Sequence, residues 1–217
     1  MAEILDTAII LAGGLGTRLR SVVTDRPKPM AEVTGRPFLE HLLNFWYKQG
    51  VKRFILSVCH QHEFIMNYFG SSFNGALIEY VVEEQPLGTG GALILCKDQL
   101  CLNSPFLLLN GDTFFDVDIT SIMNKFKYHD ADWVLSLFRA TDSQRYLATY
   151  VDKNSRINFK SIKQGRTDPF GFWANGGVYC VHPRSLESLN RPVKKKSLES
   201  ELLPLFYQQG QRILGMY

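Results

Sequence analysis

The stretch LAGGLGTRLRSVVTDRPKPM, residues 11–30, gives the strongest indication of how this chain folds. It follows the apolar run TAII, residues 7–10, whose composition is that of a strand covered on both faces. Glycines and arginines come next, and then a lysine between two prolines. A loop that only turned the chain would need neither so many cations nor so much stiffness, so the loop itself indicates a ligand.

The glycines of this loop predict a phosphate-binding turn. Gly13, Gly14 and Gly16 permit positive φ and let backbone N–H groups approach an anion. Their spacing matches neither the dinucleotide-binding fingerprint nor the Walker loop. Arg18 and Lys28 add two cations, and the prolines on either side of Lys28 restrict the backbone. We therefore predict that the loop surrounds the phosphates of a nucleoside triphosphate.

Short apolar runs bounded by glycine or acidic residues recur along the chain and predict strands. Between the early runs, the amphipathic segments PFLEHLLNFWYKQG and HEFIMNYFG predict helices that end at Gly50 and Gly70. This alternation predicts an α/β fold, a Rossmann-like, mainly parallel sheet flanked by helices, which binds ligands beyond the carboxyl ends of its strands. After residue 140 the pattern becomes turn-rich and predicts an added layer of mixed sheet. The strand runs are TAIILAGG, RFILSVCH, IEYVVEE, PFLLLNGD, WVLSLFRA and NGGVYCV.

The composition argues against several classes of protein. A formal charge of +3, from 24 Lys+Arg against 21 Asp+Glu, is too small to predict a nucleic-acid partner. The basic run KKK, residues 194–196, is interpreted as a solvated loop in preference to a phosphate-binding patch. The N-terminus does not resemble a signal peptide, and no apolar stretch is long enough to cross a bilayer. We therefore expect a cytoplasmic protein without a membrane partner. The sequence is compatible with a homo-oligomer.

A second polar segment, LNGD, ends with Asp112 directly after an apolar strand. A carboxylate in a partly buried position needs a hydrogen-bond donor or a cation as partner. Mg²⁺ that bridges phosphate oxygens suits a carboxylate beside a phosphate loop, whereas an Asp that accepts backbone N–H bonds in a turn is the structural alternative. We therefore expect Mg²⁺ as a cofactor, with Asp112 as its ligand.

A third segment, EEQPLGTGGA, combines carboxylates with glycines. Gly88, Gly90 and Gly91 would let a flat base lie against the main chain. Glu83 or Glu84 would accept hydrogen bonds from the edge of that base. Guanine offers two neighbouring donors to a carboxylate, whereas uracil and thymine offer one donor between two carbonyls. The segment therefore favours GTP over UTP as the nucleotide.

Together, the segments LAGGLGTRL…PKPM, EEQPLGTGGA, LNGDTFFDVD and NGGVY resemble the sugar-1-phosphate nucleotidyltransferase family. Within that family they look most like the D-glycero-alpha-D-manno-heptose 1-phosphate guanylyltransferases. The resemblance implies transfer of GMP from GTP to a sugar 1-phosphate, with loss of pyrophosphate and with Mg²⁺ as cofactor. The alternatives are UTP or CTP as nucleotide, mannose or N-acetylmuramic acid 1-phosphate as acceptor, and a binding module without turnover.

The resemblance also implies roles for individual residues. Arg18 would clamp the leaving pyrophosphate, Lys28 would contact the phosphates during transfer, and Asp112 would bind Mg²⁺. The implied nucleotide-binding residues are Leu11, Ala12, Gly13, Gly14, Gly16, Thr17, Glu83, Gly88 and Thr89. The implied sugar-binding residues are Gly111, Lys163, Asn175, Gly176 and Glu199.

Two departures from the family pattern concern the sugar and the metal. In place of the family's Phe-x-Glu-Lys motif the chain has FKSIKQG, in which Lys163 fills the lysine position and Ile162 replaces the glutamate. The chain ends at Tyr217, before the Asp-x-Gly-x-Pro segment that carries the family's second metal ligand. We expect a single nucleotidyltransferase domain over residues 1–217 that lacks its C-terminal segment, because GQRILGMY looks like the approach to a further strand.

Overall fold

The computed structural model describes residues 5–14, 26–101, 103–141, 149–159, 172–189 and 193–217. A central sheet of eight strands carries helices on both of its faces. The strands are β1 (Thr7–Leu11), β2 (Glu32–Val33), β3 (Arg36–Pro37), β4 (Arg53–Val58), β5 (Ser72–Phe73), β6 (Ala76–Val82), β7 (Phe106–Asn110), β8 (Trp133–Ala140), β9 (Tyr150–Val151), β10 (Ile157–Asn158), β11 (Phe172–Val181) and β12 (Ile213–Met216). The helices are α1 (Phe38–Lys48), α2 (His62–Phe69), α3 (Gly88–Cys96), α4 (Ile119–Tyr128) and α5 (Leu203–Gln208), and a π-helical turn (Leu198–Leu202) precedes α5.

The order of strands in the sheet is β12-β8-β11-β7-β1-β4-β6-β5. β1 pairs in parallel with β4 and β7, and β4 pairs in parallel with β6. β12 is parallel to β8, whereas β11 runs antiparallel to both β7 and β8. The predicted α/β class with a mainly parallel sheet is therefore confirmed, with two reversed strands, β11 inside the sheet and β5 at its edge.

The reversed strand β11 explains how distant parts of the chain reach one edge of the sheet. β1, β4, β6 and β7 run parallel to one another, so their carboxyl ends lie at the same edge, where ligands of open α/β sheets bind. Because β11 pairs Val178 with Leu109 in the opposite direction, its first half lies at that same edge. The register of β11 against β8 shifts between Asn175 and Tyr179, and Gly177 has φ +77° within the bulge.

Two apolar clusters hold the helices against the sheet. α1 buries Leu39, Leu42, Leu43 and Trp46, a helical spacing that places all four on the face toward the sheet. α2 and α4 join α1 in this cluster. The opposite cluster is formed by α3, the π-helical turn and α5 against the other face. The helices predicted from the two amphipathic segments are confirmed, and the chain leaves α1 at Gly50, where φ is +107°.

The glycines of GTGG begin helix α3. A Cβ atom at Gly90 would lie 3.1 Å from the backbone N of Leu198, and one at Gly91 would lie 2.9 Å from the backbone O of Lys194. These two glycines therefore make room for the neighbouring segment of the protein, which corrects the prediction that they lie against a base. Gly90 and Gly91 are buried.

The turn-rich region after residue 140 forms a small antiparallel sheet of β9 and β10 within the described part. Single bridges join it to the large sheet, from Thr149 to Trp173 and from Arg156 to Leu214. The added layer of sheet is confirmed to that extent. Among the described residues, no helix combines the length and the apolar character that crossing a membrane requires.

Candidate active site

A cavity of about 730 Å³ opens at the carboxyl edge of the central sheet. It combines the glycine loop after β1, the start of α3, the end of β7 and the segment before the π-helical turn. Three segments singled out in the sequence, LAGG, EEQPLGTGGA and LNGD, therefore contribute to one cavity. The residues that line it are Leu11, Ala12, Gly13, Gly14, Lys28, Pro29, Glu83, Pro86, Gly88, Thr89, Ala92, Asn110, Asp112, Lys195 and Glu199.

The predicted site residues are not all placed on this cavity. Four of them, Gly16, Thr17, Arg18 and Lys163, lie outside the described residues. The lining includes the predicted nucleotide-binding residues that are described, together with Lys28, Asp112 and Glu199. Gly111, Asn175 and Gly176 are not in the lining: Gly111 lies between the lining residues Asn110 and Asp112, and Asn175 reaches the lining residue Glu199 through Tyr179.

Lys28 and Asp112 meet at the cavity wall. Lys28 begins a short 3-10 turn, Lys28–Met30. Pro29 and Met30 are buried, and they fix the backbone of this turn against the core. Asp112 follows β7 by two residues. The Nζ atom of Lys28 lies 2.5 Å from Oδ2 of Asp112. This pair provides one cation and one carboxylate that both reach the cavity.

Gly111 allows Asp112 to reach this position. Its N–H donates to the backbone O of Leu11 at 3.0 Å, which closes β7 against the end of β1. A Cβ atom at Gly111 would lie only 2.7 Å from that same oxygen. Gly111, predicted to bind the sugar, therefore also lets β7 pack closely against the end of β1, which its sequence position did not indicate.

Glu83 is a buried carboxylate behind the glycine loop, only 5% exposed. Its Oε1 accepts a hydrogen bond from Ser57 Oγ at 2.9 Å, and its Oε2 accepts one from Leu87 N at 2.9 Å. Burial raises the pKa of Glu83, and the two hydrogen bonds act against that rise. A Cβ atom at Gly13 would lie 2.2 Å from Oε1. Glu83 thus holds together the glycine loop, β4 and the entry to α3.

This geometry separates the two candidates for base recognition. Glu83 lines the cavity, whereas Glu84 is exposed and is not part of the lining. Each oxygen of Glu83 already accepts one bond within the protein, and a carboxylate oxygen has room for one more. Base reading by Glu83 stays a prediction, with an additional structural role beside it.

Glu199 connects the predicted nucleotide and sugar residues. Thr89 Oγ1 donates to Oε2 of Glu199 at 2.9 Å, and Tyr179 Oη donates to Oε1 at 3.0 Å. The side-chain amide of Asn175 donates to the hydroxyl of Tyr179. Leu198 N donates to Thr89 Oγ1 at 2.8 Å, so the start of the π-helical turn is tied to α3 as well. A chain of four side chains therefore crosses from α3 to β11.

Tyr179 was part of the NGGVY motif, but no role was predicted for it. It is fully buried, and burial raises the pKa of its hydroxyl well above the ordinary value. Its hydroxyl acts as a hydrogen-bond donor to Glu199. The sequence signal was available, since Tyr179 lies four residues after Asn175 in β11. Its partner Glu199, however, comes from a separate segment.

Asn175 and Gly176 shape the bulge of β11 beside the cavity. Asn175 Oδ1 accepts a hydrogen bond from Gly177 N at 2.9 Å. A Cβ atom at Gly176 would lie 2.6 Å from Ser136 Oγ and 2.9 Å from the ring of Phe115. The missing side chain of Gly176 therefore lets β11 pack closely on its neighbours.

The basic run at residues 194–196 lies in a loop in which Lys194 and Lys195 are exposed, as the sequence predicted. The backbone N of Lys196 donates to Leu87 O at 2.9 Å, and Gly90 N donates to Lys196 O at 2.9 Å. These bonds fix the main chain of the run against the entry to α3. Lys195 lines the cavity, whereas Lys194 does not.

The donors on this wall fit a Mg²⁺ ion shared with phosphates. Asp112 supplies a carboxylate to the cavity, and Mg²⁺ commonly binds through one or two carboxylates plus substrate phosphates and water. Over the described ranges, no cluster of three or more His, Cys, Asp and Glu side chains could hold a metal without a substrate.

Known proteins resemble this chain in sequence and in structure. The D-glycero-alpha-D-manno-heptose 1-phosphate guanylyltransferase of Campylobacter jejuni is 42% identical over 179 residues, 80% of this chain and 75% of that protein. The enzyme of the same name from Aneurinibacillus thermoaerophilus is 40% identical over 200 residues, 90% of this chain and 83% of that protein. The crystal structure of HddC from Yersinia pseudotuberculosis complexed with GMP-PN matches with a TM-score of 0.81 and 31% identity, over 98% of this chain and 90% of that one.

The model of the Nucleotidyl transferase family matches residues 7–210, which includes every described residue that lines the cavity. The chain therefore belongs to the Nucleotidyl transferase family, and it is a nucleotidyltransferase.

Proposed function

We propose that this enzyme transfers GMP from GTP to D-glycero-alpha-D-manno-heptose 1-phosphate and releases pyrophosphate. One observation carries the proposal: a single cavity brings the glycine loop, Lys28 and Asp112 together with Glu199, which Tyr179 links to β11. The cavity thus has a cationic, phosphate-suited part and a part rich in hydrogen-bonding groups. The guanylyltransferases at 40% identity and above support the choice of nucleotide and acceptor.

The nucleotide half of the reaction rests on Gly13, Gly14 and Lys28. Backbone N–H groups and an ammonium at one wall lower the cost of bringing a triphosphate into the cavity. Glu83 and Gly88 lie on the same wall and would contact the base. A carboxylate suits the paired donors of guanine, so GTP is the nucleotide that this wall favours.

The chemistry needs alignment more than acid or base catalysis. An oxygen of the acceptor's phosphate attacks the α-phosphorus in line, a new P–O bond forms, and the bond to the β-phosphate breaks. Because the attacking phosphate is already an anion, no side chain has to remove a proton. Lys28 would stabilise the charge that develops on the phosphates, since it can move from Asp112 to a phosphate oxygen without leaving the cavity wall.

Mg²⁺ completes the proposal as a cofactor held by Asp112 and the substrate phosphates. When bound, it supplies charge neutralisation at the phosphate oxygens. In the substrate-free protein Asp112 is paired with Lys28, a contact between partly exposed groups that contributes at most about 1 kcal/mol. Lys28 therefore releases Asp112 to a cation at little cost.

The sugar half rests on Glu199 and its partners. Tyr179 and Thr89 hold the two carboxylate oxygens of Glu199 in place, so the group is oriented before the sugar binds. A carboxylate accepts hydrogen bonds from sugar hydroxyls, which a heptose offers in number. We further propose that the enzyme works in the cytoplasm, where GTP is available.

A panel of acceptors tests this proposal. Pyrophosphate release would be followed with GTP and Mg²⁺ and with D-glycero-alpha-D-manno-heptose 1-phosphate, mannose 1-phosphate or N-acetylmuramic acid 1-phosphate. We expect the highest kcat/KM with the heptose. A higher value with another acceptor would replace the proposed sugar, and no release with any of them would contradict the proposed reaction.

A further inference from the structure

Ser57 carries a buried hydroxyl group near the carboxyl end of β4. Ile55 belongs to the apolar cluster on the face of the sheet that carries α3, and Ser57 lies two residues later on the same face. Its side chain is 0% exposed, and it is not among the described residues that line the cavity, so it cannot touch a substrate. A hydroxyl in such a place costs free energy unless it forms hydrogen bonds, so its partners indicate its role.

The hydrogen bond of this hydroxyl is directed at Glu83. Ser57 Oγ donates to Oε1 of Glu83 at 2.9 Å, and a serine hydroxyl has only one hydrogen to donate. The thiol of Cys96 also lies within hydrogen-bonding reach of Ser57. Burial raises the pKa of Cys96 to about 12, so the thiol keeps its proton and does not compete for the serine hydrogen as a thiolate would. The hydrogen of Ser57 is therefore left to Glu83.

The bond from Ser57 fixes the plane of the Glu83 carboxylate. Leu87 N donates to Oε2 at 2.9 Å, so each carboxylate oxygen has one donor in the protein. The terminal torsion of a glutamate is otherwise broad, so a carboxylate held at one oxygen alone can rotate. Two donors on different segments, β4 and the entry to α3, prevent that rotation. Each oxygen keeps one acceptor site, and Glu83 lines the cavity.

A carboxylate with a fixed plane suits a ligand with two neighbouring donors. Guanine has such a pair in N1–H and the 2-amino group. Hypoxanthine, the base of ITP, keeps N1–H and lacks the amino group. The two bases therefore differ by one hydrogen bond to the carboxylate, and that bond is available only if both oxygens of Glu83 are correctly oriented.

We propose that Ser57 is a positioning residue for nucleotide selection: it holds the Glu83 carboxylate in the plane in which the two oxygens accept from N1–H and the 2-amino group of guanine. The inference rests on the proposed function, since it takes GTP as the nucleotide and Glu83 as the group that contacts its base. Ser57 acts only through Glu83. Without the serine hydroxyl, the carboxylate can rotate about the terminal bond of its side chain, and the second contact to guanine weakens.

Calorimetric binding of GTP and ITP, with Mg²⁺ and without an acceptor, tests the proposal on the Ser57→Ala variant. We expect the wild type to bind GTP about 10-fold more tightly than ITP, the value of one hydrogen bond to a charged group. In Ser57→Ala the affinity for GTP should fall by about that factor and the affinity for ITP by less, so that the ratio of the two affinities approaches 1. The KM for the sugar 1-phosphate should not change, because Glu199 and its partners are untouched.

Ser185→Ala is the matched control. Ser185 is also a buried serine, 1% exposed, and its Oγ donates to Asp132 O at 3.2 Å. Neither of these two residues is among the described residues that line the cavity. The variant removes one hydrogen bond from the interior, so it reports the effect of a general loss of stability, and we expect it to keep the wild-type ratio of GTP to ITP affinity. A ratio lowered equally in both variants would show a purely structural effect and would overturn the inference.

An unchanged ratio in Ser57→Ala, or equal affinities of the wild type for GTP and ITP, would also overturn it. Should Ser57→Ala fail to fold, Ser57→Cys takes its place, because a thiol is close in size to a hydroxyl and is a weaker donor. The ratio should again fall, and an unchanged one contradicts the inference. Binding does not depend on turnover, so a failure of the proposed reaction is seen separately as absent pyrophosphate release.

Discussion

Lys28 Nζ and Asp112 Oδ2 lie 2.5 Å apart although 84 positions separate the two residues in the chain. The contact joins the turn after the glycine loop to the end of β7 across the mouth of the cavity. Both side chains are partly exposed, with 29% and 45% of their surfaces accessible. Such a pair contributes little to stability.

We predict that Lys28→Ala lowers kcat by about 100-fold to 1000-fold, the range for removing one group that stabilises transition-state charge. The free energy of unfolding should change by less than about 1 kcal/mol, because the lost ion pair is partly exposed. Steady-state kinetics and urea unfolding measure the two effects. Lys48→Ala, at an exposed position at the end of α1, serves as the control. Unchanged turnover in Lys28→Ala would show that Lys28 does not stabilise the transition state.

Neighbouring glycines of the phosphate loop should differ in their tolerance of a methyl group. At Gly13 a Cβ atom would lie 2.2 Å from the Glu83 carboxylate, whereas at Gly14 nothing lies within 4 Å. We expect Gly13→Ala to lose about 1–3 kcal/mol of unfolding free energy through overpacking, and Gly14→Ala to stay close to the wild type. Thermal unfolding of the two variants side by side makes the comparison. Equal losses would mean that Glu83 does not constrain the loop.

The buried carboxylate of Glu83 should leave a signature in the pH dependence of stability. Burial raises the pKa of Glu83, so the folded state keeps its proton to higher pH than the unfolded state does. This stabilisation is complete below the ordinary pKa of about 4.3 and is lost as the pH rises through the folded pKa. Glu83→Gln does not titrate. The unfolding free energy of the wild type should therefore fall relative to the variant across that window.

Urea unfolding at a series of pH values measures this difference. The slope with pH is the relevant quantity, because an amide at position 83 also alters the bonds to Ser57 and Leu87 and shifts the whole curve. Each unit of pKa elevation contributes about 1.4 kcal/mol to the change. Parallel curves for the two proteins would show that the Glu83 pKa is not raised.

Two adjacent lysines should separate a cavity cation from a solvated one. Lys195 lines the cavity and Lys194 does not, although both are exposed. We expect Lys195→Gln to raise KM for at least one phosphate-bearing substrate by about 10-fold, the range for losing a bond to a charged group. Lys194→Gln removes the same charge outside the cavity and should leave KM unchanged. Equal KM values in both variants would mean that neither lysine contacts a substrate.

Much of this fold follows from local patterns in the sequence. The apolar runs and amphipathic segments identify the central strands and α1, since burial on both faces of a parallel sheet demands such runs. The direction of β11 is not visible in its residues, because parallel and antiparallel pairing bury the same side chains. GTGG forms a helix because packing against residues 194–198 offsets the low helix propensity of glycine.

The sequence predicts site residues that lie together in one segment. It does not predict contacts between segments that are distant in the sequence. The glycine loop and Asp112 follow strands, so the topology brings them to one edge. The bond from Tyr179 to Glu199 joins β11 to a turn in a different segment, and no local pattern indicates it. The main chain of Lys196, next to Lys195, is held by backbone bonds to Leu87 and Gly90, which are distant in the sequence.

The most direct test of the central claim is the product formed from D-glycero-alpha-D-manno-heptose 1-phosphate and Mg²⁺ with GTP, UTP, CTP or ATP in turn. Mass spectrometry of the product and assay of pyrophosphate would be combined on the wild-type chain. The proposed function predicts a GDP-linked heptose and an equal amount of pyrophosphate with GTP, and far less of either with the other nucleotides. A product of equal or greater yield from UTP, CTP or ATP, or none from GTP, would contradict it.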